Sequence, residues 1–193
     1  MDSQAEQASP VAAILAGGAG SRLGGEKAAI ELAGKPLASY PAAAFADAGI
    51  ECAVVVAKRG SLLPDLGLPV LTEPEEPRHP LLGVTTALRH AGGRPVLSCP
   101  CDMPFVTPAL LKALAGAERT TAVRSSGRTH PLLALFAPDA LHSLEEAVAL
   151  GLSATAALER LSPQHVEASE RETFNVNTPD DLRYAASIVT RAL

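Results

Sequence analysis

Residues 15–27 read Leu-Ala-Gly-Gly-Ala-Gly-Ser-Arg-Leu-Gly-Gly-Glu-Lys. Five glycines in nine positions (17–25) let a backbone come close to a ligand and adopt positive φ. Consecutive N–H groups in such a loop form a concave anion site. Arg22 adds a planar fork of donors and Lys27 a point charge, and both suit phosphate oxygens. Further along, Asp102 follows an apolar run and precedes Pro104. A carboxylate there can hold a hard cation that also bridges substrate phosphates, or fix a turn through its own backbone. The expected chemistry is phosphate handling at a metal-assisted site.

Two common phosphate loops fail on this stretch. Gly18-Ala-Gly20-Ser-Arg is followed by Leu23, where a dinucleotide fingerprint needs glycine. No acidic residue closes the second strand, which ends Ala57-Lys58. Gly20 and Gly25 have P-loop separation, but Glu26-Lys27 follows where Gly-Lys-Ser/Thr is required. There is no Gly-x-Ser-x-Gly elbow for a nucleophilic serine.

The elements that must position these groups alternate. Val11 to Leu15, Ala53 to Ala57, Val70 to Thr72 and Pro95 to Ser98 read as buried strands. Pro36 to Ala48, Leu81 to Ala91, Pro108 to Ala117, Pro138 to Leu150 and Ser153 to Leu161 read as helices, several closed by glycine. Thr120 to Arg124 and Leu132 to Phe136 read as strands flanking a polar loop, Ser125 to Pro131, and His165 to Ala168 as a short strand. Thr178 is expected to cap a last helix, with Pro179 in its first turn and Asp180-Asp181 at the positive end of its dipole. Continuous apolar strands alternating with helices predict a mostly parallel, Rossmann-like sheet in a single three-layer α/β/α domain. In such sheets ligands bind outside the carboxyl ends of the strands. Residues 16–27, Glu73 and residues 101–104 all fall at such ends.

Composition agrees and excludes alternatives. The chain has 193 residues, which suits one domain with a self-sufficient core. Hydrophobic residues make up 47%, charged residues 19% and aromatics only 3%, so Ala, Val, Leu and Ile must build the interior. A net charge of -5 argues against nucleic acid as a partner. Cys52, Cys99 and Cys101 are an odd set without metal-ligand spacing and read as buried thiols. Residues 1–9 lack the basic start and apolar stretch of a signal peptide, and no run approaches a membrane span. A disordered N-terminus and a cytoplasmic location, away from membranes, are expected.

The pattern resembles the nucleotidyltransferases of glycosyltransferase-A-like fold, and within them the molybdenum cofactor guanylyltransferase family. That family carries Leu-Ala-Gly-Gly…Ser-Arg-Met-Gly-Gly-Asp-Lys and then Gly-Lys-Pro-Leu. Residues 15–27 match with Leu23 for Met and Glu26 for Asp, and Gly34-Lys-Pro-Leu37 follows. Pro80-Leu-Leu-Gly83, Pro100-Cys-Asp-Met-Pro-Phe105 and Phe174-Asn-Val-Asn-Thr-Pro-Asp-Asp-Leu182 match its later blocks in order, spanning nearly the whole chain. His79, Glu73 and Ala57 stand where glycine, aspartate and asparagine are usual, and these departures bear on the base contact rather than on the reaction class.

The resemblance implies a nucleotidyltransferase domain over residues 10–193 that moves GMP from GTP to molybdopterin cofactor with Mg²⁺. It implies Arg22, Lys27 and Asp102 as catalytic residues. Nucleotide contacts would come from Leu15, Ala16, Gly17, Gly18, Gly20, Ser21, Lys27, Glu73 and Asp102, with residues 15–17 beside the guanine. Asp102 and Asn177 would hold the metal, the latter with a rival role as a helix cap. His130 and Asn175 would serve the pterin substrate, although His130 also reads as a surface turn residue and Asn175 as a loop brace. Other cofactor-biosynthesis or acceptor proteins would be transient partners. The alternatives are cytidylyl transfer to the same cofactor, a sugar-phosphate acceptor, or a non-catalytic nucleotide-binding partner.

Overall fold

The computed structural model describes residues 9–18, 27–51 and 53–191. The expectations placed on Gly20, Ser21, Arg22, Cys52 and the first eight residues lie outside these.

Among the described residues, nine strands and six α-helices follow one another. The strands are β1 (Val11–Leu15), β2 (Glu31–Leu32), β3 (Lys35–Pro36), β4 (Ala53–Ala57), β5 (Val70–Thr72), β6 (Val96–Pro100), β7 (Thr121–Ser125), β8 (Arg128–Phe136) and β9 (Gln164–Glu167). The helices are α1 (Ser39–Asp47), α2 (Leu82–Ala91), α3 (Pro108–Ala115), α4 (Ala140–Ala149), α5 (Ala154–Glu159) and α6 (Pro179–Arg191). Seven strands form one sheet in the order β5-β4-β1-β6-β8-β7-β9. Every neighbouring pair is parallel except those made by β8.

The sheet is covered on both faces, which is why β1 and β4 are apolar at every position and β6 departs from this only at Ser98. Ala12 and Ile14 of β1 face one layer with Phe45 of α1 and Leu111 and Leu114 of α3. Val11 and Ala13 face the other, with Val84 and Leu88 of α2, Leu144 of α4 and Leu158 of α5. A third, smaller cluster of Leu32, Leu37, Val176 and Ala185 seats α6 on the β2–β3 hairpin. The three-layer, mostly parallel fold expected from the sequence is the one observed.

Two expectations are corrected. The first helix begins at Ser39, not Pro36, because Lys35-Pro36 pairs with Glu31-Leu32 across a turn with Ala33 and Gly34 at φ 50 and 79. The polar stretch Ser125 to Pro131 is not a loop. β7 and β8 close a two-residue hairpin at Ser126 and Gly127, whose φ values of 47 and 76 give the twist a tight hairpin prefers. Its arm projects past the layers, so Arg128, Thr129 and His130 stay polar while in strand conformation. That hairpin also makes β8 run against both of its neighbours.

β1 has β4 on one side and β6 on the other, and the chain visits β4 and β5 before returning to β6. The strand order therefore reverses between β1 and β6, and a crevice opens above their carboxyl ends. No helix among the described residues is long and apolar enough to cross a membrane.

The small third cluster is the buried apolar contact between α6 and the hairpin. Leu32→Ala should lower the unfolding free energy by about 2–5 kcal/mol. It should also speed amide exchange in α6 ahead of α2 and the central strands. Denaturant titration with residue-level hydrogen exchange measures both, and uniform exchange across the chain would contradict the arrangement.

Candidate active site

The crevice has a cavity of about 290 Å³. Leu15, Gly17, Gly18, Lys27, Glu73 and Asp102 line it, as the sequence led one to expect, together with Lys58, Arg78, His79 and Gly83. The floor is set by hydrogen bonds that continue the sheet beyond its strands. Ala16 N–H donates to Val56 O at 2.8 Å and Cys101 N–H to Leu15 O at 3.0 Å. Ala16 is buried in the core with its N–H already used, so its carbonyl is the only polar group it offers a base. The N–H groups of Gly17 and Gly18 have no partner among the described residues.

Lys27 opens a short 3₁₀ turn (Lys27–Ala29) anchored by the buried Ala28. Its Nζ donates to Asp102 Oδ2 and to Asn177 Oδ1, each at 2.6 Å. The lysine and aspartate side chains are only 17% and 11% exposed, so this ion pair is shielded from water. The other carboxylate oxygen, Asp102 Oδ1, is buried and accepts no hydrogen bond among the described residues.

Asn177 reaches this point through the cap of α6. Asp181 N–H donates to Thr178 Oγ1 at 3.2 Å, while Asp181 Oδ2 accepts from the N–H groups of Thr178 at 2.8 Å and Asn177 at 3.0 Å. This is a reciprocal capping box with Asp in the fourth place. Burial pushes the Asp181 carboxyl up, but the bonds from Asn177 and Thr178, and then the Lys27 charge, bring it below the usual aspartate range. Val176 N–H donates to Asp102 O at 2.9 Å and ties this strap to the end of β6. Asn175 Oδ1 is buried in the strap and has no hydrogen-bond partner among the described residues.

On the other side of the cavity sits Glu73, just past β5. It is only 8% exposed, yet its carboxylate accepts no hydrogen bond among the described residues. Burial raises its pKa, and the Lys58 charge partly opposes that rise. Two glycines make its room. A Cβ on Gly17 would sit 2.2 Å from Glu73 Oε1, and one on Gly83 would sit 3.1 Å from Oε2.

Other residues named from the sequence fall outside the cavity or have structural partners. His130 pairs in register with Val123 on the hairpin arm and does not line the cavity. Burial, and then the Arg128 charge, lower its pKa. His79 Nδ1 accepts from Leu81 N–H at 3.2 Å, which leaves Nε2 to donate to Leu152 O, so the ring braces the loop after β5. Cys99 and Cys101 are buried thiols, and burial, then Asp102 and Cys101, push the Cys99 thiol up. Among the described residues no group of three or more His, Cys, Asp or Glu could hold a metal ion.

The family model described as "MobA-like NTP transferase domain" matches residues 12–168, which hold all of β1 but Val11, and Glu73 and Asp102. This chain belongs to the MobA-like NTP transferase family. It is therefore a nucleotidyltransferase. The molybdenum cofactor guanylyltransferase of Cereibacter sphaeroides is 33% identical to it, over 92% of this chain and 96% of that protein. The one from Acidiphilium cryptum is 36% identical over 89% and 91%. Among solved structures, the molybdopterin-guanine dinucleotide biosynthesis protein A of Archaeoglobus fulgidus superposes with a TM-score of 0.74 at 27% identity, covering 93% of this chain and 98% of that one.

Within this MobA-like transferase, sequence reasoning missed Lys58, Arg78 and the space left by Gly83. Lys58 had a readable signal, since it is the first residue beyond a buried parallel strand. The role of Gly83 had none, because it depends on a side chain ten residues earlier in the chain.

A buried carboxylate without donors opposes folding once it is charged. Because the folded chain holds the Glu73 proton to higher pH than the unfolded chain does, stability falls as pH rises from the ordinary 4.5 through the raised folded value. Glu73→Gln should therefore melt a few degrees above wild type at pH 7, and the difference should vanish below pH 4.5. Melting curves across that range check this, and a pH-independent difference would contradict it.

Proposed function

We propose that this chain, as one domain over residues 10–193, transfers GMP from GTP to the terminal phosphate of molybdopterin cofactor and releases pyrophosphate, working in the cytoplasm. One observation carries the reading. Lys27, Asp102 and Asn177 meet beside the N–H groups of Gly17 and Gly18, at the point where the strand order reverses. The family membership and the guanylyltransferases among its relatives support the same reaction.

The acceptor oxygen belongs to a phosphate and is already anionic. It attacks the α-phosphorus of GTP, a new P–O bond forms, and the bond to the β-phosphate breaks with its electron pair leaving on pyrophosphate. No strong general base is needed, so catalysis is positioning and charge neutralisation. Gly17 and Gly18 offer N–H donors to phosphate oxygens, and Lys27 offers its charge to the leaving group. Gly20, Ser21 and Arg22 belong to the same sequence motif and are assigned the same task on resemblance.

Asp102 and Asn177 fit a magnesium ion. Both present hard oxygen donors at one point, and the unpartnered, buried Asp102 Oδ1 is an acceptor in need of a cation. Magnesium draws most of its ligands from water and substrate, which agrees with so few carboxylates. When bound, the ion offsets repulsion among the triphosphate oxygens. Glu73 suits guanine, because its two oxygens accept from the adjacent N1–H and N2–H groups. Asn175, with its unpartnered Oδ1, is assigned to the acceptor, and His130 is assigned to the pterin on resemblance alone.

Turnover with each of GTP, CTP, ATP and UTP and molybdopterin tests the reaction. GTP should be preferred, and stronger turnover with CTP would overturn the guanylyl reading. Asp102→Asn should keep the wild-type melting curve and lose at least about 10²–10³ in rate, the size of effect seen for one preorganised electrostatic group. Unchanged turnover and an unchanged magnesium optimum in that variant would remove Asp102 from the mechanism.

A further inference from the structure

β4 and β5 are parallel neighbours with Val56 opposite Leu71 and Ala57 opposite Thr72. One step further, that register sets Lys58 beside Glu73, and Glu73 N–H still donates to Ala57 O at 2.9 Å. Side chains two residues apart on a strand share a face. Lys58 and Glu73 thus point to the side taken by Val56 and Leu71, the face covered by α2. There Gly83 leaves the helix bare, and both side chains line the cavity.

An acceptor-only carboxylate and a donor-only ammonium are carried at neighbouring positions just past two paired strands, whose backbones lie roughly 4.8 Å apart. Glu73 is only 8% exposed as a residue, and its carboxylate accepts no hydrogen bond among the described residues. Arg78 also lines the cavity, but it is exposed and pairs with Glu76 at 3.5 Å. A ligand edge that completes the Lys58–Glu73 pair must offer an acceptor to the ammonium and two adjacent donors to the carboxylate. Guanine presents that order as O6, N1–H and N2–H. Adenine and cytosine reverse the first two groups, and uracil sets a second acceptor against the carboxylate.

We propose that Lys58 is a specificity-determining residue that donates to the 6-oxo group of the donor base while Glu73 takes the two adjacent N–H donors. This deepens the guanylyl reading above and rests on it. The Lys58 charge also partly opposes the rise that burial gives the Glu73 carboxyl, so the two residues act as one reader and not as independent contacts.

The test is competition binding of GTP, ITP, ATP and 2-aminopurine riboside triphosphate to the full chain, wild type and Lys58→Met, with melting curves for both. GTP and ITP carry O6 and the other two lack it. A hydrogen bond from a charged donor is typically worth about a factor of ten or more in affinity. Lys58→Met should therefore weaken GTP and ITP by about tenfold and leave ATP and the 2-aminopurine nucleotide nearly unchanged. Lys58→Arg should restore most of the loss and serves if the methionine variant folds poorly. Equal weakening of all four nucleotides, or of none, overturns the role of Lys58 while the guanylyl reading stands. A wild type that binds ATP as tightly as GTP overturns both.

Discussion

The Lys27 ammonium joins three parts of the chain that sequence keeps far apart. Asp102 lies 75 residues away and Asn177 lies 150 away, and both are held at 2.6 Å. Each partner arrives by a different route: a 3₁₀ turn after the glycine loop, the end of β6, and the capped start of α6. The carboxylate is largely withdrawn from water, where an unpaired charge is severely destabilising. The position of the ammonium is therefore a requirement of the fold as well as of the chemistry. The strap from Val176 to Thr178 and the Asp181 cap are the scaffolding for that one meeting point.

The sheet supplies the place for it. Parallel strands send their carboxyl ends in one direction, and the reversal of order between β1 and β6 parts the loops that follow them. The two sides of the resulting crevice differ in chemistry. The β1–β6 side gathers Lys27, Asp102 and Asn177, a set suited to phosphates and a hard cation. The β4–β5 side carries Glu73 and Lys58 over a nearly bare helix face. In the proposed reading, charge and base recognition fall to different strand pairs of one sheet.

Much of this was legible because it is local. β1, β4 and β5 lie where their apolar runs place them, and α6 starts at the Thr178-Pro179 signal. The glycine loop, Glu73 and Asp102 were visible as residues of the right type just past strand ends, while Asn177 was named by resemblance, next to the Thr178-Pro179 helix start. The misreadings share a cause: long-range pairing overrode local pattern. Pro36 looks like a helix start but pairs with Glu31, and Arg128 to Pro131 look like a loop but form a strand arm whose sides are open to water. The convergence of Lys58, Gly83 and Glu73 depends on strand register and helix placement, which no window of sequence contains.

Gly17 and Gly83 define the slot around Glu73 by atoms they lack. Ordinary variation at these positions can only add atoms, since glycine is already the smallest residue. A single methyl at Gly17 would meet the end of the Glu73 side chain, and the carboxylate would have to leave its present place. In the proposed reading, a substitution at this glycine therefore displaces the base-reading group itself and does not merely trim the space beside it.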